Sequence, residues 1–188
     1  MKDATFIIYC PSYDENSGGS IALHRLCDII NREGGEAYLY PMRPHFEISN
    51  PLFSLIDAAS YFFNKKKYFQ VHPKFKTPIT NKYKSKKSIV IYPEIISGNP
   101  LNAKKVVRWL LHKPGFHTGI IEYNKSDLVF YFQEAFQDRS LGMQSGGKLQ
   151  VIHLLTDIYK RTNFNGRSGT CYLLRKGKGR EIVHDLEK

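Results

Sequence analysis

The chain has 188 residues, 41% of them hydrophobic and 24% charged, which suits one well-buried globular domain, or one domain with the start of another. No apolar run reaches the roughly 20 residues that span a bilayer, and Lys2 and Asp3 near the amino end do not make a secretory signal, so the composition points to the cytoplasm. The net charge of +11 is local: Lys65 to Lys87 holds nine lysines and no acidic residue. That stretch has no arginine fork and no recognisable RNA- or DNA-binding module, so nucleic acid is not an expected partner.

Thr5 to Cys10 is a short apolar, β-branched run suited to a strand buried on both faces. A polar stretch, Tyr13 to Ser17, breaks it, and a helix is predicted from Gly18. Its Leu23, Leu26, Cys27 and Ile30 fall on one face, and Gly34-Gly35 end it. Glu36 to Pro41 is the second strand. Gly18 and Gly19 stand where the loop leaves the first strand and enters the helix. Free amides and the positive dipole end suit a phosphate or carboxylate there, and a tight strand-to-helix turn is the competing account. The dinucleotide fingerprint GxGxxG is absent, so no bound NAD or FAD is expected.

Met42 to Ser88 is the least regular region. Within it Pro51 to Asn64 has helical spacing, with Phe53, Phe62 and Phe63 on or beside its apolar face and Lys65, Lys66 and Lys67 directly after. Such an element fits an anionic membrane surface, or equally a crossover helix followed by a solvated lysine loop. Ser88 to Glu94 reads as a buried parallel strand. Asn99 as cap, Pro100 at the first helical position and Pro114-Gly115 as stop predict a helix between them, with Ala103, Val106, Val107, Leu110 and Leu111 on one face. Trp109 lies beside that stripe. Asp127 to Phe132 and Leu149 to Leu155 are the remaining strands, and His153 reads as a core histidine of the last one. Strands separated by crossovers give an α/β, Rossmann-like, mostly parallel sheet with helices on both faces. Ligands bind beyond the carboxyl ends of such strands, where Gly18 and Gly19, Glu94 to Asn99, and Gln133 and Glu134 are delivered.

With these loops in place, Ser17 to Pro41 and Ile89 to Gly115 resemble the corresponding stretches of the amino-terminal half of GT-B glycosyltransferases, in particular bacterial enzymes that build surface polysaccharides. Gly169 to Lys188 resembles the first strand and turn of their second domain. The resemblance implies residues 1–165 as an acceptor-side Rossmann-like domain, with 43–87 as a basic insertion and 166–188 as the opening of a second domain whose remainder is missing. It implies transfer of a sugar from a nucleotide-sugar to a saccharide or lipid-linked acceptor, with the nucleotide-sugar as substrate and no separate cofactor or obligatory metal. The isolated chain is then expected to be inactive, and a place on the inner face of the membrane is compatible with a lipid-linked acceptor.

The resemblance also assigns roles. Gly18 and Gly19 would approach the donor's phosphates or sugar, and Arg175, Lys176 and Lys178 a diphosphate. A general base would come from the carboxyl rim, which leaves Glu94 and Glu134 as candidates. His24, placed by periodicity on the polar side of the first helix, and Asn99 are candidates for acceptor contact. The alternative function is a non-catalytic module that docks on membranes or binds a phosphate ligand. Cys10, Cys27 and Cys171 form neither a disulfide framework nor a metal-ligand spacing, and the first two read as core. The histidines show no HExxH, so no metal site is expected.

Overall fold

A computed structural model describes residues 4–42, 69–82, 87–154 and Gly166. The chain divides into two units, Met1–His153 and Leu154–Lys188, and the architecture below is that of the first. The helix anticipated over 51–64 with its following lysines, Cys171, and Arg175, Lys176 and Lys178 lie outside the described residues.

The unit is built on a six-stranded sheet of β1 (Thr5–Cys10), β2 (Glu36–Pro41), β3 (Ser88–Pro93), β4 (Val106–Leu110), β5 (Leu128–Tyr131) and β6 (Gln144–Lys148). The order is β2-β1-β3-β4-β5-β6 and every pairing is parallel. Ile79 adds a lone parallel bridge to Leu39 on the outer side of β2. Counted as a rudimentary strand, it turns the order into 3-2-1-4-5-6-7, the 3-2-1-4-5-6 progression of Rossmann-like sheets with one strand added at the far edge. The order reverses between β1 and β3, and the carboxyl ends of all six strands lie along one rim.

The helix α1 (Gly18–Arg32) starts on Ser17, whose Oγ accepts the Ser20 amide at 3.3 Å. It ends in a Schellman arrangement: Gly34 is left-handed at φ 80° and the Gly35 amide donates back to the Ile30 carbonyl at 2.8 Å. Leu23, Leu26 and Cys27 are buried on the sheet with Ile8, Cys10, Ile91 and Trp109, and Ile30 packs at their margin. Burying these aliphatic and aromatic side chains stabilises the fold by roughly 1.5–3 kcal/mol each. On the opposite sheet face a second core joins Ile7, Tyr9, Val90, Tyr92, Ile96 and Ala103. α1 is the one α-helix among the described residues, and loops, with two short 3-10 turns between β5 and β6, make the described crossovers from β3 to β6. No helix among them is long and apolar enough to cross a membrane.

Three expectations need correction. The helix anticipated between Asn99 and Pro114 is instead a loop followed by β4. Asn99 does not cap a helix; its Oδ1 accepts from Tyr92 OH at 3.0 Å and the Ala103 amide at 2.9 Å, while its Nδ2 donates to the Ala103 carbonyl at 2.8 Å. Consecutive Arg108, Trp109 and Leu110 are all 0% exposed, which a strand covered on both faces achieves and a one-sided helix does not.

The strand anticipated from Leu149 is displaced: β6 is the glycine-containing Gln144–Lys148, joined to β5 through an irregularity beside Phe130. Leu149 follows it, its amide bonded to the Tyr131 carbonyl and its own carbonyl accepting the Trp109 indole at 3.0 Å. His153 therefore lies beyond the sheet, half-buried among rings, at 5.7 Å from His72 and 5.2 Å from Phe75.

The third correction concerns the polar side of α1, which is not solvated. Ser20, His24, Asp28 and Asn31 recur at helical spacing and are all buried, and residues 69–77 run across this polar ridge. Asp28 accepts the Lys76 amide at 2.7 Å and Arg32 Nε at 2.7 Å, and is ion-paired to Arg25. Asn31 donates to the Lys76 carbonyl at 3.0 Å and exchanges two bonds with Ala37, each 2.9 Å. Gln70 donates its amide to Ser12 Oγ at 2.8 Å. The ridge is a buried hydrogen-bonded seam, which periodicity alone cannot tell from a wet face.

Candidate functional site

The rim beyond β1, β3, β4 and β5 is where the chain gathers groups with chemistry. Gly18 and Gly19 are the first two residues of α1. Neither has a positive φ. A Cβ at Gly18 would meet nothing within 4 Å, and one at Gly19 would make only ordinary contact with Leu111 Cδ1 at 3.8 Å. Neither glycine is therefore demanded by the turn. The helix has no acidic residue in its first turn, which leaves its dipole end without an internal counter-charge, although exposed Asp14 and Glu15 precede it.

Across the order reversal, Glu94 follows β3 directly and is 6% exposed. Its Oε2 accepts the Leu111 amide just past β4 at 3.0 Å. Burial raises its pKa above the ordinary carboxylate value; the amides of Glu94 itself, Leu111 and His112 and the nearby His117 oppose that rise without cancelling it. The Glu94 carbonyl accepts Tyr123 OH at 2.6 Å. Burial and the Glu94 charge push that phenol up to about 12, so it remains a donor at neutral pH. Leu111 thus touches both halves of the rim, packing toward Gly19 and bonding Glu94.

Glu134 opens a 3-10 turn, Glu134–Phe136, beyond β5 and is exposed. Of the two carboxylates, Glu94 alone is desolvated, and it is bonded to Leu111, whose side chain reaches toward Gly19. His24 is 0% exposed. Its Nε2 donates to the Pro11 carbonyl at 3.0 Å and its ring stacks on Phe69 at 5.7 Å. That bond braces the β1–α1 turn and gives no exposed edge to an acceptor. Burial lowers its pKa. Asn99 is likewise engaged within its own loop. Gly18, Gly19 and Glu94 thus stand along one rim, with Leu111 between Gly19 and Glu94, and His24 and Asn99 are internal supports.

Two groups were not legible in the sequence. Arg108 lies fully buried in β4, its Nε donating to Asp127 Oδ2 at 2.9 Å and its NH1 to the Ile96 carbonyl at 2.6 Å, with a further bond to the Gly98 carbonyl. Its guanidinium is between the rings of Tyr92, 4.9 Å, and Tyr123, 4.8 Å. It therefore fixes the loop that begins with Glu94. The second is a ring cluster on the loop after β4, where His112 lies 4.3 Å from Phe116, 4.8 Å from His117 and 4.9 Å from Phe136. Among the described residues no group of three or more histidines, cysteines, aspartates or glutamates gathers to hold a metal ion.

Comparison with protein families, characterised proteins and solved structures gave no match.

Proposed function

We propose that this chain is the acceptor-side part of a glycosyltransferase that moves a sugar from a nucleotide-sugar to a saccharide or lipid-linked acceptor. The observation that carries the reading is a buried carboxylate of raised pKa, Glu94, held by Leu111 on the same rim as the glycine-opened helix start, at the point where the strand order reverses. In open parallel sheets that crevice is the usual ligand site. In this reading Glu94 accepts the proton of the attacking acceptor hydroxyl, a task favoured by a pKa moved toward neutrality. Gly18 and Gly19 let a donor phosphate or sugar approach the helix start. Arg108 and Leu111 hold Glu94 in place. The donor's nucleotide belongs, in this reading, to a second Rossmann-like domain, so turnover is expected of the whole reading frame.

The test is to express the whole reading frame and measure nucleotide release from UDP-, GDP-, dTDP- and CMP-sugars, with envelope lipid extract or oligosaccharides as acceptors. Acceptor-dependent release from one donor class is expected. No release above buffer with any donor, or a reading frame without a second nucleotide-binding domain, would refute the proposal.

A further inference from the structure

Phe116 is 67% exposed, yet its setting is ordered. Pro114 before it is buried, Gly115 turns the chain at φ 73°, the Phe116 amide donates to the Lys113 carbonyl at 3.2 Å and the Gly119 amide to the Gly115 carbonyl at 2.8 Å. Its ring rests against His112 at 4.3 Å and meets the edge of His117 at 5.0 Å. His112 in turn stacks on Phe136 at 4.9 Å and 26°. An alternating row of phenyl and imidazole rings therefore leads from the turn beyond β5 to a phenyl that stays two-thirds exposed between its two imidazole neighbours, on the loop that follows β4 at the same rim as Glu94. His117 is exposed and also lies 4.8 Å from the His112 ring.

We infer that Phe116 is a stacking platform for a pyranose ring, the acceptor sugar whose hydroxyl is presented to Glu94; this rests on the transferase reading above. A pyranose has a face of C–H groups and a perimeter of hydroxyls. The C–H face complements the negative face of an exposed phenyl, and the hydroxyls need groups at the ring's edge that both donate and accept. Neutral imidazole offers both. His112 and exposed His117, both in contact with the Phe116 ring, supply that edge, giving the mix of apolar surface and a few polar groups that orients a small polar ligand. An acyl chain would find no partner for the imidazoles and would strip their water at a cost, which disfavours lipid as the occupant of this face.

The test uses the full 188-residue chain and four probes: the methyl glycosides of glucose, galactose, N-acetylglucosamine and rhamnose. Saturation-transfer NMR is recorded on the unaltered chain, Phe116→Ala, Phe116→Trp and His117→Ala, with far-UV circular dichroism to verify folding. Because Phe116 is exposed, its variants are expected to fold. Saturation of ring C–H protons is expected for at least one glycoside, weakened about tenfold in affinity by Phe116→Ala, the equivalent of one stacking contact, and retained by Phe116→Trp. Silence from all four glycosides, or equal signals from Phe116→Ala, would overturn the inference. So would Phe116→Ala abolishing binding to phosphatidylglycerol vesicles while leaving glycoside signals intact. Any of these with nucleotide release by the whole reading frame still dependent on Glu94 would remove the platform and leave the transferase reading standing.

Discussion

Replacing Arg108 by leucine probes how the Glu94 loop is held. Arg108 and Asp127 are 0% and 3% exposed, so the substitution leaves a buried carboxylate without its cation and two loop carbonyls, of Ile96 and Gly98, without their donor. Breaking one side of a buried pair costs about 3–5 kcal/mol. That is a large share of the 5–15 kcal/mol typical of a whole domain, and at roughly 2–4 °C per kcal/mol it lowers the melting temperature by about 6–20 °C. Urea denaturation and scanning calorimetry would measure it. Arg108→Lys, which keeps the charge and loses the fork, should fall between, and the double variant Arg108→Leu with Asp127→Leu should cost less than the two single changes added together. A single-variant loss below about 0.5 kcal/mol, the range of surface substitutions, would refute the view that this pair anchors the loop.

Asp28→Ala removes the acceptor for Lys76 and Arg32 and the ion pair with Arg25, and should cost about 2–4 kcal/mol in urea titrations, as for a buried network losing its hub. Burial pushes the Asp28 pKa up, but the Lys76 and Arg32 hydrogen bonds and the Arg32 and Arg25 charges outweigh it and hold it below 3.8. Its contribution is therefore full above that value and lost as pH falls through the lower folded value. His24 has the same sign from the other charge type. Its folded pKa lies below 6.5, so stability falls as pH drops below 6.5, and His24→Gln should flatten that limb of a stability-against-pH curve. Gly18→Ala and Gly19→Ala have room for the added methyl and should leave stability unchanged or raise it by up to about 1 kcal/mol, while lowering nucleotide release from the whole reading frame. If both variants lose stability, the two glycines serve the turn and not a ligand. Gly146→Ala would place a methyl 2.4 Å from the Phe130 ring and should cost about 1–3 kcal/mol by overpacking.

The opening β1–α1–β2 unit was legible because each local signal agreed: a β-branched run, a polar break, a one-sided apolar stripe and two terminal glycines. Residues 99–115 misled because Ala103, Val106, Val107, Leu110 and Leu111 satisfy helical spacing while 106–111 equally form an apolar run, and periodicity cannot separate a buried helix from a strand covered on both faces. The buried arginine within that run settles the matter only once Asp127, far along the chain, is seen to pair with it. β6 escaped notice because an edge strand of Gln, Ser, Gly and Lys has no strand-forming residues; backbone pairing to β5 makes it a strand. The placement of Gly18, Gly19 and Glu94 directly after or shortly beyond strands was legible from the order of elements. The roles of His24 and Asn99 were not, since both depend on which neighbours cover them.

The most direct test of the transferase account is Glu94→Gln in the whole reading frame. The amide oxygen of Gln can still accept the Leu111 amide that Glu94 accepts now, so the loop keeps its anchor while the group that takes a proton is gone. Burial raises the Glu94 pKa above 4.5, so the carboxylate's contribution to stability is full below 4.5 and declines as pH rises through the folded value; Gln should be neutral or stabilising at pH 7.5. Acceptor-dependent nucleotide release is expected to fall by roughly 10²–10⁴-fold with an unchanged or higher melting temperature. Release at the unaltered rate by a folded Glu94→Gln protein would contradict the assignment of Glu94 as the base.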